Sequence, residues 1–318
     1  MQVIETDFLV IGSGIAGLAT ALWAASYGEV VIISKDKAEH CNSTLAQGGI
    51  AAAIGQNDSP ELHAQDTLKA GAGICQPEIV ALLTQAAPEI IKTLVDLGTN
   101  FDLAPSGEMD LAKEGAHSLA RVLHHGDDTG AEIWQTLYRQ VEKMRGISLL
   151  PGSAALELLI EQGRCIGAIV HSGEDLVYFL ARGVVLATGG CGQIYGRTTN
   201  SLRSTGDGLA MAWRAGAELR DLEFIQFHPT ALDTSETPFF LISEAVRGAG
   251  AVLVTEKGER FMQSYHPMAD LAPRDVVSRA IVLEEQKGRR VFLDATSLGP
   301  EFPRRFPNIY AKQHSYGI

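Results

Sequence analysis

Residues 7–17 read Asp7-Phe8-Leu9-Val10-Ile11-Gly12-Ser13-Gly14-Ile15-Ala16-Gly17, and a second apolar run, Val30-Val31-Ile32-Ile33, follows. The first run, 7–11, has the length and composition of a buried parallel strand. Ile15, Leu18, Ala19 and Leu22 then recur at helical spacing, so strand, glycine turn, helix and strand form a compact βαβ unit with a right-handed crossover. In this context the glycines have separate duties. Gly12 makes the tight turn, Gly14 lets backbone approach a pyrophosphate, and Gly17 lets helix and strand pack closely. Ser13, Ile15 and Ala16 complete the backbone that presents the positive helix end to phosphate. A nicotinamide-binding version normally carries an acidic residue about twenty positions on, to hold ribose hydroxyls. Here Ser34 holds that place, followed by Lys35 and Asp36. The Ser34 hydroxyl can still bond ribose, and Lys35 can reach phosphate or ribose.

The chain has 318 residues, 46% hydrophobic and 20% charged, enough for a large core and more than one domain. A net charge of -12 excludes a nucleic-acid partner, so cations for an anionic ligand must be gathered locally. Cys41, Cys75, Cys165 and Cys191 form no CxxC pair and read as free thiols of a reducing compartment, not a disulfide frame or zinc site. Glu5 and Asp7 stand where a signal peptide would be basic, and glycines and Glu29 interrupt the apolar stretch 11–33. A cytoplasmic chain without a membrane span is expected.

Residues 44–55 are small and glycine/alanine-rich, suited to close backbone approach rather than to a core. Residues 60–98 are expected to be helical with Gly98 as C-cap, and 128–145 helical again. Residues 148–180 alternate as a β-meander through 154–160, 165–171 and 176–180. Next, Val185-Leu186-Ala187-Thr188-Gly189-Gly190 runs apolar into a glycine pair. Paired with the first motif, it resembles the returning strand of FAD-dependent two-dinucleotide folds and places Thr188 and Gly189 at the cofactor. The expected class is α/β: a Rossmann-like FAD-binding domain with an inserted β-meander over 1–220, plus an α+β capping domain over 221–318.

Thr44-Leu45-Ala46-Gln47-Gly48-Gly49-Ile50 makes the resemblance specific. It is similar to the flavin-contacting loop of the succinate dehydrogenase/fumarate reductase/L-aspartate oxidase superfamily. That resemblance implies flavin contacts from Ser43, Thr44, Ala46, Gln47, Gly48 and Gly49. Members with covalent flavin carry histidine five residues before the glutamine; Asn42 stands there, so non-covalent FAD is implied. His40 is out of register and reads as a surface residue. In Ser204-Thr205-Gly206-Asp207-Gly208 the family's aspartate contacts FAD; Asp207 fits that role, a helix N-cap, or both.

The segments 223–232, 244–250, 258–262 and 271–277 follow in the family's order and imply substrate roles for His228 and Arg274, with Thr230 and Ser243 as hydroxyl donors. Arg274 directly follows Pro273 at a helix start, where the dipole does not favour a cation, so a dicarboxylate partner accounts for it better than a surface role. Lys113-Glu114-Gly115-Ala116-His117-Ser118 resembles the L-aspartate oxidase version of its region, where the glutamate faces the substrate's α-ammonium. Read without the family, it is a polar loop opening a helix, with Ser118 as cap. His117, His124 and His125 lack metal-ligand spacing, and no metal is expected.

The resemblance implies oxidation of L-aspartate to iminoaspartate with hydride transfer to flavin N5. Oxygen or fumarate would reoxidise the flavin, and the product would enter quinolinate and NAD biosynthesis, with quinolinate synthase a possible partner. Family members continue past residue 318 with a histidine-glycine segment, a second substrate arginine and a helical domain. An incomplete enzyme with weakened flavin binding and turnover is therefore expected. A succinate dehydrogenase or fumarate reductase flavoprotein, a non-enzymatic remnant and a plain NAD-binding domain are the alternatives.

Overall fold

The computed structural model describes residues 2–318 and divides into two compact units. The first comprises the chain up to Ala46, then Gly130–Ile225 and Ser235–Phe239; the second comprises Gln47–Thr129, Gln226–Thr234 and Phe240–Ile318. Residues 47–129 thus sort with the later part of the chain, and the two units do not follow a single cut.

The first unit is built on β1 (Gln2–Ile11), α1 (Ile15–Ala24) and β2 (Val30–Ser34), as the apolar runs predict. It continues through α2 (Thr129–Lys143), β3 (Ile147–Pro151), β4 (Ser153–Glu161), β5 (Arg164–Ser172), β6 (Asp175–Leu186) and α3 (Asp207–Arg214). The six strands form one sheet in the order β3-β2-β1-β6-β5-β4, parallel from β3 to β6 and antiparallel from β6 to β4. The meander is therefore continuous with the parallel strands. Its last strand, β6, pairs Asp175–Ser172 at one end and runs on to pair Leu186 with Ile11 at the other.

Gly152 alone separates β3 from β4, which lie at opposite edges of this sheet. One residue spans less than ~4 Å while six strands side by side span more than ~20 Å, so the sheet must curl back on itself. The core agrees: Leu9, Ile11 and Ile33 pack with Ala168, Val170, Val177 and Phe179 in one buried cluster. β3, missed in the sequence reading, pairs Ile147–Pro151 with Val30–Ser34.

In the second unit the expected helix over 60–98 is two helices, Pro60–Ala70 and Pro77–Asp96. Ser59 caps the first by accepting from Leu62 N at 3.2 Å. Gly98, with φ +100°, ends the second: its N–H donates to Val95 O and Thr99 N–H to Leu94 O, the paired bonds of a Schellman cap. The short strand Val122–Leu123 pairs antiparallel with both Ile50–Ala51 and Leu111–Ala112. Val252–Thr255 pairs with Val291–Asp294, and the helix Arg274–Gln286 supplies Val277 and Ala280 to a core with Leu253, Phe261 and Met262. Among the described residues no helix is long and apolar enough to cross a membrane.

Candidate cofactor cavity and charged cluster

The first unit encloses a cavity of about 480 Å³ at the carboxyl ends of β1, β2 and β6. Gly12, Ser13, Gly14, Ile15, Ala16, Ser34, Lys35, Ser43, Thr188, Gly189 and Asp207 all line it. The glycines explain the shape. Gly12 has φ +119°, and a Cβ there would lie 2.2 Å from Ala187 O; one on Gly17 would lie 1.9 Å from Gly12 O. Gly17 is therefore a packing residue beneath the cavity. A Cβ on Gly14 would meet only Ser43 Oγ, at 3.2 Å, so that residue leaves its space to a ligand. Trp134, buried on α2, holds the turn by donating Nε1–H to Ser13 O at 2.8 Å. A diphosphate against the α1 N-terminus fits this cradle, and the volume suits part of an extended dinucleotide.

At the end of β2, Ser13 Oγ donates to Ala38 O at 2.9 Å and lies 3.0 Å from Ser34 Oγ, and Lys35 Nζ sits 2.5 Å from Asp207 Oδ2. Burial works against the Asp207 charge, but the Lys35 and Thr205 hydrogen bonds and the Lys35 charge hold its pKa below the usual carboxylate range. Asp207 is not the N-cap of α3; left-handed Gly206 is, and the Asp207 side chain turns to Lys35 and Thr205. His40 is exposed, as expected of a surface residue. It lines the cavity, with Nδ1 2.9 Å from Asp36 Oδ2. Asn42, which the sequence marked only by register, also lines it. Its Nδ2 donates to Ser204 Oγ at 2.9 Å, and its Oδ1 accepts from Ser201 N at 2.7 Å. Thr44 Oγ1 is spent on Glu39 O, and Ala46 packs beneath Gly130.

The second unit carries a charged cluster. Arg274, first residue of its helix, donates Nε–H to Glu244 Oε2 and Nη1–H to Gln226 Oε1 at 2.8 Å, while its Nη2 is 3.8 Å from Glu114 Oε2. Glu244 is buried, and its Oε1 accepts from Gly115 N at 3.0 Å. Arg247, one turn on, is fully buried. It donates Nη1–H to Asp270 O, and its Nε and Nη2 have no hydrogen-bond partner. Burial depresses the Arg247 pKa. Burial and then the neighbouring Glu244 charge raise that of Glu114, with Arg274 opposing. Glu244 stays low, because Arg274's charge and hydrogen bond outweigh its burial.

Gln47 and Gly48 belong with this cluster. Gln47 Oε1 accepts from Ser243 N at 3.1 Å, and a Cβ on Gly48 would come within 3.4 Å of Glu114 Oε1. A Cβ on Gly49 would collide with Leu123 O, so that glycine serves strand pairing. Ser243 Oγ caps its short helix by accepting from Ala245 N at 3.2 Å, which leaves its own proton to donate. Thr230 instead commits its hydroxyl proton to Ile242 O at 2.8 Å. Ser118 opens no helix; it lies in the loop after Leu111–Ala112. Sequence reasoning assigned no role to Gln226, Glu244 or Arg247. The only signal for them was that they fall inside the family-like segments.

His228 Nδ1 lies 3.3 Å from Thr230 N and 3.0 Å from Thr230 O. Burial, then the Arg274 charge, push its pKa down to about 4. The unfolded ring, at about 6.5, takes up a proton between pH 6.5 and 4 that the folded ring refuses. The His228 contribution to stability is therefore full above pH 6.5 and lost as the pH falls toward 4. Thermal melts should show it. The Tm difference between the wild type and His228→Asn should shrink by several degrees from pH 7.5 to pH 4.5, by the ~2–3 kcal/mol that such a shift represents. A constant difference across that range would contradict a neutral buried ring.

L-aspartate oxidase of Synechocystis sp. is 46% identical over 99% of this chain, which covers 58% of that relative. The L-aspartate oxidase of Clostridium acetobutylicum is 40% identical, with 99% of this chain and 72% of that relative covered. A chain of E. coli quinol fumarate reductase superposes with a TM-score of 0.91 at 31% identity, over 97% of this chain and 57% of its own length. The chain thus spans somewhat over half the length of most of these proteins. The family model for the FAD binding domain matches residues 7–317, and the chain belongs to that family of FAD-binding flavoproteins, on its L-aspartate oxidase branch.

Proposed function

We propose that this chain carries the cofactor- and substrate-binding residues of a FAD-dependent L-aspartate oxidase, which removes two electrons and two protons across the Cα–N bond to give iminoaspartate. The observation that carries this reading is the state of Glu114. A succinate-type substrate needs only cations, whereas an amino dicarboxylate also needs one anion for its ammonium. Glu244 is already occupied by Arg274 Nε and Gly115 N. The Glu114 carboxylate, 3.8 Å from Arg274 and outside hydrogen-bonding distance, is left for the ammonium.

FAD, held non-covalently because Asn42 offers no nucleophilic ring nitrogen, supplies the two-electron acceptor that oxygen or fumarate regenerates. The chain's own residues align the substrate. Arg274 offers charge-assisted donors to a carboxylate and stays charged throughout, so it orients rather than shuttles protons. His228, neutral at physiological pH, has one ring proton: where Nδ1–H donates to Thr230 O at 3.0 Å, Nε2 is an acceptor, and where Nδ1 accepts from Thr230 N at 3.3 Å, Nε2–H is a donor. Ser243 adds its hydroxyl. The imine product hydrolyses in water, so a condensing enzyme must consume it promptly; quinolinate synthase, on the way to NAD, is the partner this chemistry suggests.

The test is Glu114→Gln. Losing the anion should lower kcat/KM for L-aspartate about a hundredfold, mostly through KM, while fumarate reduction changes within about threefold. The raised Glu114 pKa sets the pH dependence: below it the carboxyl is neutral, so KM for L-aspartate should climb as the pH falls, and this climb should vanish in the variant. Equal losses for aspartate and fumarate would remove Glu114 from ammonium recognition and favour a fumarate reductase.

A further inference from the structure

Glu114 belongs to residues 113–121, which join the antiparallel pair Leu111–Ala112 and Val122–Leu123. The stem is only two residues long on each side, and Ala116 sits at φ +66°, a conformation that costs a residue with a side chain about 1 kcal/mol. Stem pairing alone does not fix such a loop. The structure shows what does.

Asp66, on the helix Pro60–Ala70, accepts three hydrogen bonds on one oxygen, Oδ2: from Ser118 N and Ser118 Oγ at 2.8 Å each, and from Arg121 Nη1 at 2.7 Å. Arg121 is completely buried and binds Asp58 through Nε and Nη2 at 2.8 and 2.9 Å. His117 Nδ1 lies 3.3 Å from Arg121 Nη1. At its other end the loop is held by the Gly115 N–H on Glu244. A half-buried carboxylate with three donors from one loop, one of them a fully buried guanidinium, defines that loop's position, since losing it would leave the Arg121 charge under-paired.

We propose that Asp66 is the positioning residue that aims Glu114, and so sets the preference for a substrate bearing an α-ammonium over the plain dicarboxylate. It acts through the Ser118 and Arg121 clamp and does not touch the substrate. The inference rests on the ammonium-binding reading of Glu114.

A double-mutant cycle on the FAD-loaded protein tests it, with L-aspartate oxidation and viologen-driven fumarate reduction measured on the same preparations. Asp66→Asn should lower kcat/KM for L-aspartate about thirtyfold, mainly in KM, and leave fumarate reduction within about threefold. Ser118→Ala, which keeps the buried charges paired, should give a smaller loss of the same selectivity, about fivefold. In a Glu114→Gln background neither change should lower L-aspartate oxidation further by more than about twofold. Asp66→Glu should recover part of the loss. Equal loss of both reactions, or additivity with Glu114→Gln, would make Asp66 merely structural and overturn the proposal. If Glu114→Gln alone spares L-aspartate while Asp66→Asn does not, the ammonium reading fails first and this inference falls with it.

Discussion

Arg274→Ala is expected to lower kcat/KM for L-aspartate by about three to four orders of magnitude, and fumarate reduction by a comparable factor. The guanidinium is only partly exposed and bridges three neighbours: Glu244 through Nε, Gln226 at 2.8 Å through Nη1, and Glu114 at 3.8 Å from Nη2. Removal costs twice. The substrate carboxylate loses a charge-assisted donor pair in a partly desolvated site, worth about 3–5 kcal/mol where one partner of such a pair is deleted. Glu244, buried and held ionised mainly by Arg274, then binds a proton more readily and loosens its hold on Gly115. Each 1.4 kcal/mol is a factor of ten, so the first effect alone accounts for most of the loss. Arg274→Lys keeps a charge but not the planar fork, and about a hundredfold loss is expected to remain. Unlike Glu114→Gln, these changes should not discriminate between aspartate and fumarate, because both present carboxylates. Steady-state kinetics at matched flavin content would decide. Retention of more than about a tenth of kcat/KM in Arg274→Ala would show that another cation carries the carboxylate.

Local rules were enough for part of this architecture. Gly12, Gly14 and Gly17 could be given separate duties because each follows from the packing of one strand against one helix, within a few residues. The break in the expected 60–98 helix was also written locally, in Gly71, Gly73 and Pro77, but the apolar periodicity outweighed it. The strand Ile147–Pro151 was hidden by its terminal proline, which an edge strand tolerates. The assignment of residues 47–129 to the second unit had no local signal at all, since a glycine/alanine-rich run says nothing about which core receives it.

Long-range charge pairing was harder still. Arg121 meets Asp58 and Asp66 across 63 and 55 residues, and no periodicity links them. Glu244 and Arg247, three apart on a short helix, carry no mark in the sequence that they are buried, yet both are. Net charge reports only the sum. The cluster proposed to hold the substrate is made largely of charges whose burial becomes visible only once the chain is folded.

Gly12→Val and Gly14→Ala should separate folding from flavin binding, and the contrast is the second large effect expected. At Gly12 a side chain meets two obstacles. Its φ of +119° is closed to β-branched residues, and a Cβ would stand 2.2 Å from Ala187 O, backbone that cannot rotate away. Relief requires the end of β1 to part from the end of β6, where Ile11 and Leu186 are paired and Ala187 N–H still donates to Ile11 O. A loss of about 4 kcal/mol in stability should accompany Gly12→Val, together with FAD affinity reduced at least a thousandfold. At Gly14 the backbone is ordinary and only Ser43 Oγ lies nearby, at 3.2 Å, where a shift of a few tenths of an ångström relieves the contact while straining its hydrogen bond from Ile15 N. Gly14→Ala should therefore melt within about 1 kcal/mol of the wild-type apoprotein, yet bind FAD some tenfold to a hundredfold more weakly, because the methyl takes the space a diphosphate would use. Chemical denaturation of the apoproteins and flavin fluorescence titration measure the two quantities independently. Normal FAD affinity in Gly14→Ala would mean that the diphosphate does not rest on this turn, and the cofactor contacts proposed for residues 12–16 would have to be withdrawn.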